Sequence, residues 1–321
     1  MPRPHLTFFV ELASEPLARL FSTPGVIDYL ARERCAISMG ILDLSVERAS
    51  IVRELEARGV PVTAWLLLDV AQGYWLNADN PQHGRARYEE TVAWAAGAGL
   101  TLHRIGLDIE FPRSDADMLM RRGVRGVFTL LRRRRRAQQV LDAERAYAEL
   151  IGEIRRGGRV VESYHFPHIL DERAAGTTLL RRTFGLVDVP VDVDVFMLYS
   201  SYLGRIGACA YFADAGTIAV GVTGGGVNAG TAAEAARVLT WERFEADLLA
   251  AAAHAREVYI FSLEGCVEQD MLPRLAGFDW NRLAPPLSPG DARRASGQRW
   301  LARTVLRSER LLDVVFPSRV G

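Results

Sequence analysis

Apolar residues fall into eight short runs of β type, and between them lie longer stretches with apolar positions every three or four residues. The runs are Leu6–Val10, Ala36–Leu42, Val60–Leu68, the opening of Leu100–Pro112, Arg159–Tyr164, Val191–Tyr199, Thr217–Val222 and Glu257–Leu263. The first helical stretch carries Leu17, Leu20, Phe21, Val26, Ile27 and Leu30, and Pro24-Gly25 breaks it in two. Ser45 can cap a helix over Val46–Arg58 that stops at Gly59. Further helices are expected from about Gly84 to Ala98, over Val127–Arg156, near Thr177–Phe184, from about Arg205 to Ala215 and over Trp241–Ala255. After Pro285-Pro286 and Pro289-Gly290, a last helix opens near Asp291.

Eight strands alternating with helices predict an α/β fold, a (β/α)8 TIM barrel over residues 1–270. A long connection follows the fourth strand, and residues 271–321 form a C-terminal helical extension packed on the barrel. A doubly wound open sheet would want a glycine-rich first turn, and Glu11-Leu12-Ala13-Ser14-Glu15-Pro16 has no glycine. Gly224-Gly225-Gly226 comes after the seventh strand instead, where barrels build phosphate or sugar contacts and where a plain flexible loop serves equally.

Composition narrows the chemistry. The chain has 321 residues, 49% of them hydrophobic, enough for one large core, and its formal charge is zero. No global field favours nucleic acid or an anionic membrane. Every basic residue is arginine. Schiff-base aldolase chemistry, pyridoxal phosphate attachment and the P-loop all need a lysine amine and are excluded. Cys35, Cys209 and Cys266 are far apart and in no metal-like spacing, so they read as thiols in a reducing compartment. No apolar run reaches membrane-spanning length. A soluble, cytoplasmic protein without a cofactor is expected, its oligomeric state open. Arg132–Arg136 falls within an expected helix, where five arginines spread round the cylinder and read as a solvated surface in preference to an anion site.

Polar residues gather at the C-terminal ends of the strands, the face where TIM barrels carry active sites: Glu11, Asp43, Asp69, Asp108 with Glu110, His165, Tyr199, Thr223 and Glu264. Asp108 and Glu110 are two apart on one strand, so they point the same way with Cα atoms about 6.5–7 Å apart. Each raises the cost of ionising the other, so one can hold its proton near neutrality and serve as a general acid. Tyr74 and Trp75, in the loop after the third strand, are either a stacking face for a sugar or a plug over the core. His165 and His168 are substrate contacts or core histidines.

The fourth strand, Gly106-Leu107-Asp108-Ile109-Glu110-Phe111-Pro112, resembles the Asp-x-Asp-x-Glu-(Tyr/Phe)-Pro signature of chitinase-like (family eighteen) glycoside hydrolases. Met197-Leu198-Tyr199 is similar to the Met-x-Tyr of the same family. The resemblance implies that Glu110 is the proton donor, that Asp108 orients a substrate acetamido group and that Tyr199 supports it. Gly106 replaces an aspartate, Ser200 replaces another, and Ser262 and Glu264 stand where the family has a tryptophan.

The expected function is therefore a glycoside hydrolase acting on an oligosaccharide. Glu110, Asp108, Tyr199 and Glu264 would be catalytic, Glu264 lying across the ring from Glu110. Glu11, Asp43, Asp69, Tyr74, Trp75, His165, Met197 and Thr223 would bind the substrate. Two alternatives stand beside it. One is a metal-dependent sugar isomerase or phosphodiesterase-like barrel, with Glu11, Asp43, Asp108, Glu110, Glu162, His165 and Glu264 converging on a divalent ion. The other is a non-catalytic carbohydrate-binding barrel.

Overall fold

The computed structural model describes residues 3–226 and 237–309, the side chains of Met120 and Val124 apart. The eight strands are parallel and close into one barrel in sequence order. They are β1 (His5–Val10), β2 (Ala36–Ile41), β3 (Val62–Leu66), β4 (Arg104–Asp108), β5 (Val160–His165), β6 (Val193–Met197), β7 (Thr217–Gly221) and β8 (Glu257–Phe261). β8 closes on β1 through the register His5↔Glu257 to Phe8↔Ile260. Among the described residues the helices up to the long connection are α1 (Ser14–Ser22), α2 (Val26–Arg32), α3 (Val46–Ala57), α4 (Pro81–Gly97), α5 (Arg113–Arg122), α6 (Val124–Arg132) and α7 (Ala137–Arg156). Then come α8 (His168–Ala175), α9 (Leu179–Phe184), α10 (Ser200–Cys209), α11 (Trp241–Ala252), α12 (Leu263–Glu268), α13 (Leu272–Ala276) and α14 (Pro289–Arg307). Among the described residues no helix is long and apolar enough to cross a membrane.

Strand alternation sorts the side chains into two cores. Leu6, Phe8 and Val10 of β1 face outward and pack with Leu17, Leu20 and Leu30 of the helix shell. Phe9, Trp65, Tyr164, Met197 and Tyr259 face inward and fill the barrel. Beneath this aromatic tier lies Glu162, which accepts hydrogen bonds from Tyr259 (2.9 Å), Tyr164 (3.0 Å) and Thr63 (3.2 Å) and pairs with Arg104. Glu162 is thus part of the barrel floor and not, as the metal-dependent alternative had it, a ligand at the mouth.

Two helical segments depart from the expected pattern. The stretch expected as one helix over Val127–Arg156 breaks at residues 133–136 between α6 and α7. There the Arg135 amide donates to the carbonyl of Arg182 (2.8 Å) and its guanidinium Nε to Asp79 (2.7 Å), contacts from distant sequence that outweigh local helix propensity. The arginine run is therefore not a solvated helix face: Arg134 is buried and Arg135 is folded inward. α10 begins at Ser200 rather than Arg205, with a kink at Gly204 (φ 67°, ψ 159°). The C-terminal extension docks as α14 on α8 and α10. Asp171 accepts from Arg299 (2.9 Å), Arg303 (2.8 Å) and Tyr211 (2.7 Å), and the Arg299 guanidinium lies 4.5 Å over the Tyr211 ring. The expected extension past residue 309 lies outside the described residues.

Gly106 is the position on which the inner tier turns. A Cβ there would meet Tyr164 Cε2 and Cζ at 2.9 Å and would press on its hydroxyl as well. That ring is buried and its hydroxyl is held between Ser38 (2.6 Å) and Glu162, so it cannot swing aside. Gly106→Ala is therefore expected to destabilise the fold by about 1–3 kcal/mol, the usual cost of overpacking. Tyr164→Leu in the same chain should recover part of the loss. Urea denaturation of the single and double variants checks this, and additive losses would mean the two residues do not touch.

Candidate active site

Inward parity carries the ends of β1, β4 and β6 into one cavity of about 260 Å³ at the C-terminal mouth of the barrel. β4 supplies Asp108 and, just past its end, Glu110. β1 supplies Phe9 and then Glu11, two residues further along the same face. β6 supplies Met197 and Tyr199. Trp75, Phe111, Phe166 and Phe261 form much of the wall. Phe111 and Phe166 are stacked at 4.9 Å with 13° between their planes. The one cation on the described wall is Arg237, whose guanidinium sits 4.7 Å over the ring of Tyr202 at the rim. The result is a set of three carboxyl groups at the base of an aromatic cup.

That setting controls their protonation. Asp108 is buried; Trp65 Nε1 donates to one of its oxygens (3.0 Å), and the other has no hydrogen-bond partner. Burial, and then the nearby charges of Glu110 and Glu11, push the Asp108 carboxyl well above its ordinary range. Burial and the Glu11 charge push Glu110 up to about 8. The Tyr199 phenol is likewise raised by burial and by Glu110 and Asp108, so it stays protonated and able to donate. Glu11 is fixed from both ends: Tyr74 donates to its carboxylate (2.6 Å), and its amide donates to Glu264 (3.3 Å).

Asp108, Glu110, Tyr199, Met197, Glu11 and Trp75 thus meet as the sequence leads one to expect; the other expected site residues are placed elsewhere. Glu264 opens α12 beneath the glycine turn after β7. Its Oε1 accepts from Glu11 and Gly226 (3.3 Å each), and burial raises the carboxyl to about 8, but it does not line the cavity. A side chain at Gly225 would collide with it, and one at Gly226 would meet Glu11 Oε2 at 2.7 Å, so the turn is glycine because two acids lie against it. Tyr74 is the core plug, buried and bonded to Glu11. Asp43 turns outward to the buried Arg48 (2.8 Å) and to Ser14 (2.8 Å), and those donors hold its carboxyl well below the usual range. Asp69 is exposed at the start of a short turn. His165 follows the inward Tyr164 and so faces the shell, its Nε2 3.7 Å from Asp194, where burial lowers its pKa. His168 packs its ring on Tyr211 at 5.7 Å. Thr223 is spent on tying β7 to β8 through the Ser262 amide and carbonyl (2.8 and 2.9 Å). Sequence reasoning missed Phe9, Trp65, Tyr164, Phe166 and Phe261; Phe9 stands two before Glu11 and Tyr164 pairs with Asp108 across a rung, so strand parity was the available signal for those two.

No protein-family model matches the chain, and no curated protein matches it. Solved structures do. A D-allulose 3-epimerase from Methylomonas sp. is 12% identical over 92% of this chain and 98% of its own, with a TM-score of 0.43. A 3-keto-D-glucoside 4-epimerase from E. coli is 11% identical over 93% and 100%, TM-score 0.42. A xylose isomerase domain containing protein from Salmonella typhimurium is 12% identical over 85% and 95%, TM-score 0.41. At such identities the likeness is one of fold. The expectation of a chitinase-like glycoside hydrolase is corrected here. Glu264, the carboxyl that expectation set across the ring from Glu110, lies behind the glycine turn and does not line the cavity.

The raised carboxyls bear on stability with a definite sign. Glu110 and Glu264 keep protons to about pH 8 in the folded chain, whereas the unfolded chain releases them near 4.5. Between those values the native state binds more protons, so stability falls as pH rises. Urea denaturation at pH 5 and pH 8 should show this fall. Glu110→Gln should flatten it by up to one proton's slope, about 1.4 kcal/mol per pH unit. An unchanged slope would place the Glu110 carboxyl in water.

Proposed function

We propose that the barrel mouth is the acid–base site of an enzyme that interconverts isomers of a small sugar by moving a proton at a carbon next to a carbonyl. The observation that carries this reading is Glu110, a carboxyl held near pKa 8 by burial and the Glu11 charge inside an aromatic cavity. At neutral pH such a group exists in both forms, as a base that removes a proton and an acid that returns it. As carboxylate, Glu110 takes the proton from the carbon beside the carbonyl; that C–H bond breaks, and its electrons form the carbon–carbon double bond of an enediolate. Asp108, kept neutral, gives its proton to the carbonyl oxygen and takes one from the neighbouring hydroxyl. Tyr199 donates a hydrogen bond to the oxygen on which charge develops. Glu110 then returns its proton to the adjacent carbon, which exchanges aldose for ketose. Trp75 and Phe111 offer flat faces to the CH groups of the sugar.

The metal-dependent form of this chemistry needs several carboxylate or imidazole ligands around one ion. Asp108 and Glu264 each keep one buried oxygen without a hydrogen-bond partner, as a ligand would. Yet among the described residues no three such side chains come together to hold an ion, and His165 faces the other way. The residues do not fit a compact metal site, and the steps above use none.

A panel of aldoses and ketoses incubated in D2O and followed by NMR tests the reading. Uptake of solvent deuterium at the carbon beside the carbonyl is expected, with a rate that rises with pH toward 8 as Glu110 becomes the base. Glu110→Gln should lose on the order of 10²–10⁴ in turnover while still binding sugar. Trp75→Ala should weaken binding by about 1–3 kcal/mol with little change in thermal stability. Absence of exchange with every sugar, or a Glu110→Gln variant as fast as the parent, would overturn the proposal.

A further inference from the structure

Above the acids, the described wall of the barrel mouth turns to carbon. α5 presents Ala116 and Leu119, three residues apart and so on one face of that helix. α10 opens after Tyr199 and presents Tyr202 and Leu203, one turn on along the face that Tyr199 begins. β5 lies between β4 and β6 in the barrel, and just past its end Phe166 stacks on Phe111. Leu119, Leu203, Phe111 and Phe166 are each half-buried, so they keep apolar surface uncovered. Ala116 and Leu119 belong to neither of the two hydrophobic cores.

Several polar atoms of the wall are already engaged within the protein. Tyr164 turns its hydroxyl down to Ser38 (2.6 Å) and Glu162 (3.0 Å), and Trp65 gives its N–H to Asp108 (3.0 Å). Both are left with ring carbon to offer the cavity. Glu11 accepts from the Tyr74 hydroxyl (2.6 Å), and at the rim the Arg237 guanidinium lies 4.7 Å over the Tyr202 ring. An unsubstituted sugar filling this space would press hydroxyls against Leu119, Leu203 and Phe166. A hydroxyl stripped of water without a new partner opposes binding. An apolar group in the same place covers that carbon surface and gives up no hydrogen bond.

We propose that the substrate carries an apolar group, aryl or alkyl, at the end of the sugar away from its carbonyl, and that the faces of α5 and α10 hold it. The position follows from the chemistry. Moving a proton between the two carbons of an enediolate needs the carbonyl and its neighbouring hydroxyl free, so the apolar group is not a glycosidic aglycone. It belongs at the far end, as an ether or ester of a remote hydroxyl. The carbonyl end of this assignment rests on the isomerase reading above, and the apolar end rests on the wall.

Isothermal titration of the full chain with D-glucose and 6-O-benzyl-D-glucose, and with D-fructose and 6-O-benzyl-D-fructose, tests the proposal. In at least one pair the benzyl ether is expected to bind more tightly by about tenfold or more, with the more negative heat-capacity change that burial of apolar surface gives. Leu119→Gln and Leu203→Gln should each shrink that preference to about threefold or less. Leu301→Gln, on the exposed face of α14, should leave it intact. Circular dichroism confirms folding, and if neither wall variant folds, the preference and the heat-capacity change of the parent decide. Deuterium uptake in D2O, read on the same four sugars, tests the isomerase reading separately. Exchange without a benzyl preference overturns the apolar-group proposal and leaves the isomerase reading standing. A benzyl preference that the wall variants abolish, without exchange, does the reverse. Equal affinities within both pairs, no binding of any of the four, or a preference that both folded wall variants retain, overturns the proposal.

Discussion

The inside of an eight-stranded barrel must be filled to crystal-like density, and here one pair of residues governs how. Tyr164 reaches across into the space that Gly106 leaves on the neighbouring strand, and only glycine leaves enough. The ring then meets Phe9 edge-on at 4.9 Å and Trp65 at 5.9 Å, which closes the middle of the barrel with aromatic carbon. Its hydroxyl reaches down to Glu162, so the one acid inside the floor is satisfied by two phenols, a threonine and Arg104. A carboxylate so placed would be costly without those partners.

The tier above inherits its properties from this one. Because the aromatic layer separates the mouth from the floor, Asp108 and Glu110 have hydrocarbon beneath them and, among the described residues, no cation acting on their carboxyls. Among the described residues the only direct donor to the Asp108 carboxyl is the indole of Trp65, which belongs to the same layer. Burial is accordingly the largest influence on both acids, and mutual repulsion with Glu11 adds to it. The contrast with Asp43 is instructive. That carboxyl also follows a strand, yet it faces the shell and a buried arginine, and its pKa moves the opposite way.

How much of this the sequence revealed depends on where each residue stands relative to a ladder. The eight strands and their order were legible because period-two runs alternate with helical stretches. Asp108 and Glu110 were legible because parity carries one strand step past the last paired residue before Pro112. His165 was misplaced although it lies in a strand: position counted and parity, which was not applied, would have turned it outward. Asp69 and Thr223 lie beyond their strands, where direction is decided by partners far away in sequence, such as Ser262 for Thr223. The arginine run failed for the same reason, since the contacts that unwind it come from Asp79 and Arg182. A short motif can match a family while its surroundings do not: the strand-four acids fit the chitinase-like pattern, but Gly106 is explained by a tyrosine from the next strand.

The charge that the mouth can carry follows from the same geometry. Glu11, Asp108 and Glu110 share one small cavity, and each added negative charge raises the cost of the next. Glu11 accepts a hydrogen bond from the Tyr74 phenol, and its amide donates to Glu264. Asp108 then keeps its proton most firmly, being the more deeply buried of the other two and facing two like charges. That leaves Glu110, half-buried and open to the cavity, as the group whose proton is exchanged when a ligand arrives. A neutral polyhydroxy ligand leaves this order intact, whereas an anion entering the same cup would drive Glu110 to hold its proton and disable it as a base. On the proposed reading, the acids would select against negative charge at the reacting end of a substrate, and Arg237 at the rim is the one cation on the described wall.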